Sequence, residues 1–312
     1  MLKKYEPHLP ESFDGYCEPF LGGAAMFIWA YEKNPDVHYV LNDSNEGIIQ
    51  IYTAIRDDLG SFLKRLDELQ SEYINLPKGE TNKALEKEYE KDWARLYGHT
   101  PCRRYFYFKV RNEHAFDYEG WSRTKEAATL YFLMKTGFNG VWQINQNTGG
   151  RFGTPCGLMN QKDKIYDKEN ILEWHEALQS CTLLSGDFKD TLEHVGENHY
   201  VFLDPPYRGS FTQYGVDFDD ELQQSVVDYL NDASEAGAYV LLSNRDVGDG
   251  FFEQRKGDNK LVKDLDVTYT AGRRKKTEVR RFISPKLFYY SKNFKAKKAR
   301  EILMIGSRSE SR

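Results

Sequence analysis

Tyr200-Val201-Phe202-Leu203-Asp204-Pro205-Pro206-Tyr207 is an apolar run closed by an acid, two prolines and an aromatic ring. The first four residues read as a buried strand. The turn after them suits one chemical problem, methylation of an exocyclic amino group conjugated to a ring. The lone pair of such a nitrogen is delocalised, so the nitrogen is a weak nucleophile. Acceptors placed around the NH₂ would localise it, and the Asp204 carboxylate and the Pro205 carbonyl fit that role. Proline donates no backbone N–H and stiffens the turn that aims the carbonyl. Tyr207 offers a flat face on which a base can stack. The plain structural alternative is a rigid Pro-Pro turn carrying a surface tyrosine.

Outward from this strand, helices and strands alternate. Residues 16–20 read as a short strand breaking at Gly22-Gly23, and Ala24 to Lys33 as a helix. His38 to Leu41 is a second strand, closed by Asn42-Asp43, with Ser44 or Asn45 capping a helix to about Arg56. Strand, glycine turn, helix, strand and acid open a nucleotide-binding α/β unit. Residues 58–96 read as polar helix broken at Pro77 and Gly79, and 102–114 and 124–136 as helices with aromatic faces. The Gly- and Asn-rich stretch 137–157 predicts a β-hairpin about Gly149-Gly150. Alternation then resumes, with helices over 171–179 and 219–233 and strands over 182–184, 200–203, 237–243, 261–270 and 301–305. The expected fold is a mostly parallel, doubly wound α/β sheet with a mainly helical insertion. A catalytic region of residues 1–56 and 166–312 would flank an inserted region, 57–165.

The 312 residues suit one large domain or a core with an insertion. Hydrophobic residues at 40% and charged residues at 29% allow a sizeable core, which argues against a disordered chain. Met1-Leu2-Lys3-Lys4 leads into no apolar stretch, and no run reaches membrane-span length, so a cytoplasmic protein of a bacterium or of a phage host is expected. Cys17, Cys102, Cys156 and Cys181 are isolated, without ligand spacing, so neither zinc nor any other metal is expected.

The net charge of −5 argues mildly against a nucleic-acid partner, but its distribution argues for one. Acids concentrate in residues 57–92 and 217–221. Bases concentrate between Arg273 and Arg300, interleaved with Tyr269, Phe282, Phe288, Tyr289, Tyr290 and Phe294. Basic and aromatic side chains together suit phosphates and exposed bases; a solvated loop is the alternative.

The ordered pieces EPFLGGAAMF (18–27), LNDSNEGIIQIY (41–52), YFYFKVRNEHAF (105–116), LYFLMKTGFNGVWQIN (130–145), GGRFGTPCG (149–157), LLSGDFKDTL (183–192), YVFLDPPY (200–207), LLSNRD (241–246), RRKKTEV (273–279) and REILMIG (300–306) carry a resemblance. In order and spacing they are similar to the Dam-like, D12 class of adenine-N6 DNA methyltransferases, over nearly the whole chain. That resemblance implies a Rossmann-like methyltransferase sheet, S-adenosylmethionine as methyl donor and double-stranded DNA as partner, and leaves room for a cognate restriction nuclease.

It also implies roles. Glu18, Phe20, Gly22 and Gly23 would approach the cofactor, glycine serving where a Cβ would strike a ligand. Asp43 would accept from the ribose hydroxyls, and Asp187 and Phe188 would contact the cofactor adenine. Asp204, Pro205, Pro206 and Tyr207 would form the catalytic grip, with Asp204 also facing the cofactor.

The insertion would read DNA. Trp142, Gln143, Asn145, Asn147 and Arg151 are candidates for base or phosphate contacts, since Asn and Gln pair with adenine and Arg with guanine. Arg111 and Asn139 join them by position in the family pattern, and Arg273, Arg274, Lys275 and Lys276 by charge. Turn chemistry is the competing account of Asn139, Asn145 and Asn147.

Two departures stand out. Members of the family usually open with a Lys-Trp-x-Gly-x-Lys segment, and only Leu2-Lys3-Lys4-Tyr5 stands in that region here. GATC-reading members carry Arg near Gln143, which implies a different or relaxed target. Three other readings remain: a DNA-binding homologue impaired in catalysis, a methyltransferase of RNA adenine or of a protein amide, and a nicotinamide-dependent dehydrogenase. The last is disfavoured because Gly22-Gly23 lacks the spaced glycines of that fingerprint.

Overall fold

The structure is a computed structural model describing residues 2–90, 92–140, 142–157, 161, 163–208, 218–269 and 297–307, with backbone alone at 2–3, 139, 264–269 and 297–300. Helix α1 (Leu2–Tyr5) leads to β1 (Gly15–Glu18), α2 (Ala25–Lys33), β2 (His38–Asp43) and α3 (Glu46–Asp57). Then come α4 (Leu59–Asn75), α5 (Lys83–Glu88), α6 (Trp93–His99), α7 (Arg103–Phe116) and α8 (Arg123–Thr136). A hairpin of β3 (Ile144–Asn145) and β4 (Arg151–Phe152) follows. Next are α9 (Lys168–Leu178), β5 (Cys181–Ser185), β6 (His199–Leu203), α10 (Asp220–Glu235) and β7 (Tyr239–Arg245). The described order closes with α11 (Phe251–Arg255), β8 (Lys260–Tyr269) and β9 (Lys297–Gly306).

The main sheet has the order β5-β2-β1-β6-β7-β9-β8. Its first five strands are parallel, and β9 runs antiparallel between β7 and β8. The strands alternate between two apolar layers. On one face Tyr16, Tyr39, Leu41, Tyr200, Phe202, Leu241 and Leu303 pack with α2, α3 and α9. On the other, Cys17, Val40, Val201, Leu203, Val240, Leu242 and Met304 pack with α10 and α11. A strand covered on both sides needs no polar alternation, which is why β6 and β7 read as continuous apolar runs. Each buried apolar side chain contributes about 1.5–3 kcal/mol by leaving water.

The expected α/β doubly wound sheet is present, and the middle of the chain is helical with a hairpin, as expected. Phe62, Leu66 and Tyr73 of α4, Phe106 of α7 and Phe132 of α8 belong to the same apolar layer as Ile51 and Tyr52 of α3. The helix starts follow local chemistry. Asn45, rather than Ser44, caps α3 by accepting from the Gly47 N–H at 3.1 Å. Asp58 caps α4, Ser122 caps α8 and Asp219 caps α10 in the same way. Among the described residues no helix is long and apolar enough to cross a membrane.

Candidate active site

Strand order reverses between β1 and β6, so the loops leaving their carboxyl ends diverge and open a crevice. The Pro19–Gly23 loop lies on one side and Asp204–Tyr207 on the other. The cleft between them measures about 620 Å³, the size of a site for a cofactor-sized ligand. Phe20, Gly22, Gly23, Asp43, Asp187 and Phe188 line it together with all four residues of the tetrapeptide. Trp142 and Ile144 of the hairpin region line the same wall.

Asp204 sits partly buried at the cleft floor. Burial pushes its carboxyl up to about 6, opposed by hydrogen bonds from Ser243 and Tyr207. Ser243, wholly buried on β7, donates its hydroxyl to Asp204 Oδ1. The Tyr207 hydroxyl lies 3.4 Å from the Ser243 hydroxyl.

The turn after Asp204 is clamped from behind. The buried Gln223 side chain donates to the Pro206 carbonyl at 2.7 Å, and the buried Asn244 side chain donates to Gln223 Oε1 at 2.9 Å. Asn244 Oδ1 in turn accepts from the Arg208 and Arg245 backbone N–H groups. The Arg208 guanidinium bridges Asp220 and Asp249 and lies 4.0 Å over the Phe251 ring. Ser243, Gln223 and Asn244 are therefore working parts of the turn that the sequence reading did not assign. Ser243 and Asn244 were present in the sequence only within the LLSNRD piece, and Gln223 only as a residue of the amphipathic helix over 219–233.

Across the cleft, Asp43 uses both carboxylate oxygens on backbone. Oδ2 accepts from Gly22 N–H and Oδ1 from Asn45 N–H, each at 2.8 Å. Each oxygen keeps a second lone pair for a ligand. Asp43 thus fixes both the glycine turn and the start of α3, with its carboxyl raised by burial. Gly22 has φ +44°, a left-handed conformation that favours glycine, and a Cβ on Gly22 or Gly23 would meet nothing within 4 Å. Asn42 ties three loops together, its amide donating to the Pro19 and Gly186 carbonyls.

Phe20 and Phe188 are packed together, centroids 5.0 Å apart at 31°. That spacing leaves no gap for a third ring between them, so a flat ligand would cover the cleft side of Phe20. Asp187 is exposed at the rim and caps the short turn after it through Lys189 N–H.

Glu18 does not line the cleft. It is buried beneath it, accepting from Tyr16 O–H at 2.6 Å, with the Phe27 backbone N–H also on its carboxyl. Phe27 lies in the first turn of α2, whose own N-cap Ala24 has no capping side chain, so Glu18 serves as that cap from the neighbouring strand. Burial raises its pKa well above the usual carboxylate range.

The residues expected to read DNA divide into several environments. Trp142 faces the cleft and packs edge-on to Phe152 at 5.3 Å. Asn145 is turned inward, where its side chain accepts from Asn147 N–H at 2.8 Å, while Asn147 itself is exposed. The Gln143 backbone carbonyl accepts from Gly153 N–H at 2.7 Å. Arg151 is bound to Glu126 and lies 3.7 Å over Tyr118. Arg111 is largely enclosed, donating to the Gly153 and Thr154 carbonyls and lying 4.7 Å over Phe108. The Asn139 side chain and Arg273, Arg274, Lys275 and Lys276 lie outside the described residues.

All four cysteines are buried. Burial raises the Cys17, Cys156 and Cys181 thiols to about 12, so Cys156, although it follows Pro155, is no ready nucleophile. Among the described residues no group of His, Cys, Asp and Glu could hold a metal ion.

Residues 1–281 match the family model of the D12 class N6 adenine-specific DNA methyltransferases. The chain is 27% identical over 270 residues to the type II methyltransferase M.MjaIII of Methanocaldococcus jannaschii, which covers 83% of this chain and 85% of that one. It is 25% identical over 257 residues to the type II methyltransferase M1.LlaDCHI of Lactococcus lactis, covering 76% of each. Over 256 residues it is 29% identical to the DNA N-6-adenine-methyltransferase of Escherichia phage P1, spanning 78% of this chain and 28% of that longer protein. A carboxylate and a proline turn held rigidly at the sheet's crevice agree with this likeness, and the chain belongs to the D12 class of N6 adenine-specific DNA methyltransferases.

Proposed function

We propose that the cleft takes S-adenosylmethionine on the β1–β2 side and an adenine, turned out of duplex DNA, on the Asp204–Tyr207 side. The observation that carries this is one cavity joining the Gly22–Asp43 turn to Asp204 and Tyr207. When bound, the cofactor supplies an electrophilic methyl group on a positive sulfonium. Asp204 and Asp43 give the cleft a floor of carboxyl groups, which favours a cation. Asp43 offers its remaining lone pairs to the ribose hydroxyls, and Phe20, which lines the cleft, its ring to the cofactor adenine.

The Asp204 carboxylate and the Pro205 carbonyl accept the two N6 hydrogens of the target, and the Tyr207 ring stacks on the base. Two acceptors on one amine direct its lone pair along a single line. Catalysis then rests on positioning and electrostatics, with no covalent enzyme intermediate. Turning the base out costs a few kcal/mol, a cost that phosphate and hairpin contacts from residues 57–165 would offset. That inserted region is the target-recognition region of this reading. Trp142, Gln143, Asn147 and the bases of 273–276 are its first candidates for DNA contact. Asn139 is a candidate by position, and Asn145, Arg151 and Arg111 shape the hairpin that presents them.

Transfer of labelled methyl from S-adenosylmethionine to duplex DNA, RNA and protein tests the reading directly. We expect label in N6-methyladenine of DNA, and none once Asp204→Ala is introduced into a protein that still folds. Retained transfer in that variant, or label in RNA or protein alone, would refute it. Calorimetry with S-adenosylmethionine separates an active enzyme from a DNA-binding homologue without catalysis.

A further inference from the structure

The stretch Leu241–Asp246 has so far been only a neighbour of the catalytic turn. It closes β7, which pairs with β6 in the register Leu203↔Leu242, so the residue after Leu242 stands beside Asp204. That residue, Ser243, is wholly buried. It has one hydroxyl proton, and an ionised carboxylate can only accept. The proton therefore goes to Asp204 Oδ1, which leaves the serine's lone pairs toward the Tyr207 hydroxyl at 3.4 Å, a hydroxyl that also bonds Asp204, and toward the Tyr5 hydroxyl. Behind this group the Tyr5 hydroxyl donates to the buried Glu301 at 2.9 Å.

We propose that Ser243 is a positioning residue for methyl transfer, its hydroxyl holding the Asp204 carboxylate beside the Tyr207 hydroxyl with which that carboxylate is also bonded. Oδ2 and the ring face are then held in one geometry toward the target amine. Both halves of the grip lie on one side of β7. On the other side, Asn244 and Gln223 hold the backbone that follows. Two adjacent residues thus fix the turn from opposite faces of the sheet, one through side chains and one through main chain. The proposal rests on the reading of the cleft given above, since it presumes that Asp204 accepts from the substrate.

A serine that merely satisfied the core would affect stability and little else. A tether would affect the reacting geometry and the ionisation of the carboxylate. Ser243→Ala and Ser243→Thr are compared with wild type for methyl transfer to adenine-containing duplex DNA from acid to alkaline pH. Ser243→Ala is expected to lower kcat on the order of 10- to 100-fold, as for a small misplacement of reacting groups. The KM values for cofactor and DNA should stay within about threefold. Its acid limb should move to higher pH, because a donor that favours the charged carboxylate is gone. Ser243→Thr keeps the hydroxyl and should return the limb to its wild-type position.

A wild-type rate and acid limb in Ser243→Ala would overturn the proposal. So would a loss carried only by KM or only by thermal stability. A readout without turnover is the titration of the Asp204 carboxyl carbon by NMR, expected to move upward in Ser243→Ala. If that titration is unmoved, the tether is wrong whatever the enzyme does to DNA. If it moves while wild-type protein methylates no adenine, the tether stands and the reading of the cleft fails.

Discussion

Burial pushes the Asp204 carboxyl up to about 6, while Ser243 and Tyr207 hydrogen bonds pull the other way. At neutral pH the group is mostly charged in a place that disfavours charge, and that is what makes it a strong acceptor for an amine. Activity should therefore fall as pH drops through about 6, read as the acid limb of kcat. Stability responds in the opposite sense. A carboxyl raised in the folded state costs nothing below its unfolded pKa, and the penalty grows as pH rises to about 6. Asp204→Asn keeps an acceptor for Ser243 but removes the charge. It should gain roughly 1–3 kcal/mol at pH 8 by urea unfolding, with the gain vanishing near pH 4. An Asn variant less stable than wild type at pH 8 would contradict this account. Gln223 is tested on the same assay. Gln223→Ala strands the Pro206 carbonyl and Asn244 without their partner, a loss of about 1–3 kcal/mol, with slower transfer.

The hairpin shows what an element decides that single residues do not. Its strands are two residues each, too short to hold by backbone pairing alone. Arg151 on Glu126 and Tyr118 and Arg111 on the Gly153 and Thr154 carbonyls fasten it to α8 and α7, while the Asn145 side chain closes its turn from within. Gly153 packs so closely that an added Cβ would land on the Asn145 Cβ and lie 2.9 Å from the Thr148 hydroxyl. Gly153→Ala should thus cost about 1–3 kcal/mol and weaken DNA binding while leaving cofactor affinity unchanged. Equal affinities for DNA in titrations of the two proteins would show that the hairpin has no part in recognition. Of the residues singled out here from sequence, the asparagines were legible as both turn and contact. Asn145 serves the turn, its side-chain oxygen accepting from Asn147 N–H, and its NH₂ remains a candidate donor to DNA.

For the whole molecule, the cleft joins loops from β1, β2, β5 and β6 with a wall from the hairpin region, so a ligand in it touches each of these. S-adenosylmethionine at a hundredfold excess over its Kd should stabilise the protein by about 2.7 kcal/mol. Thermal melting reads the shift; Phe20→Ala should lower the melting point of the free protein, because Phe20 packs on Phe188 and Phe218, and should also shrink the further rise that S-adenosylmethionine adds. No shift in wild type would argue against this cleft as the cofactor site. DNA affinity should fall steeply with salt despite the net charge of −5, because phosphate contacts depend on local and not on total charge.

The sequence by itself determined the order of strands and helices, the doubly wound class, the glycine turn and the acid-proline-proline-tyrosine grip. These are local: an apolar run, a cap or a proline acts within a few residues, so its meaning is written beside it. The tertiary structure alone decided which partner each polar side chain found. It set Ser243 on Asp204, Gln223 on Pro206, Tyr5 on Glu301 from the far end of the chain, and Glu18 under α2 instead of in the cleft. It also turned Arg111 and Arg151 inward. Such pairings depend on which strands lie side by side and in what register, and residue spacing along the chain does not encode that.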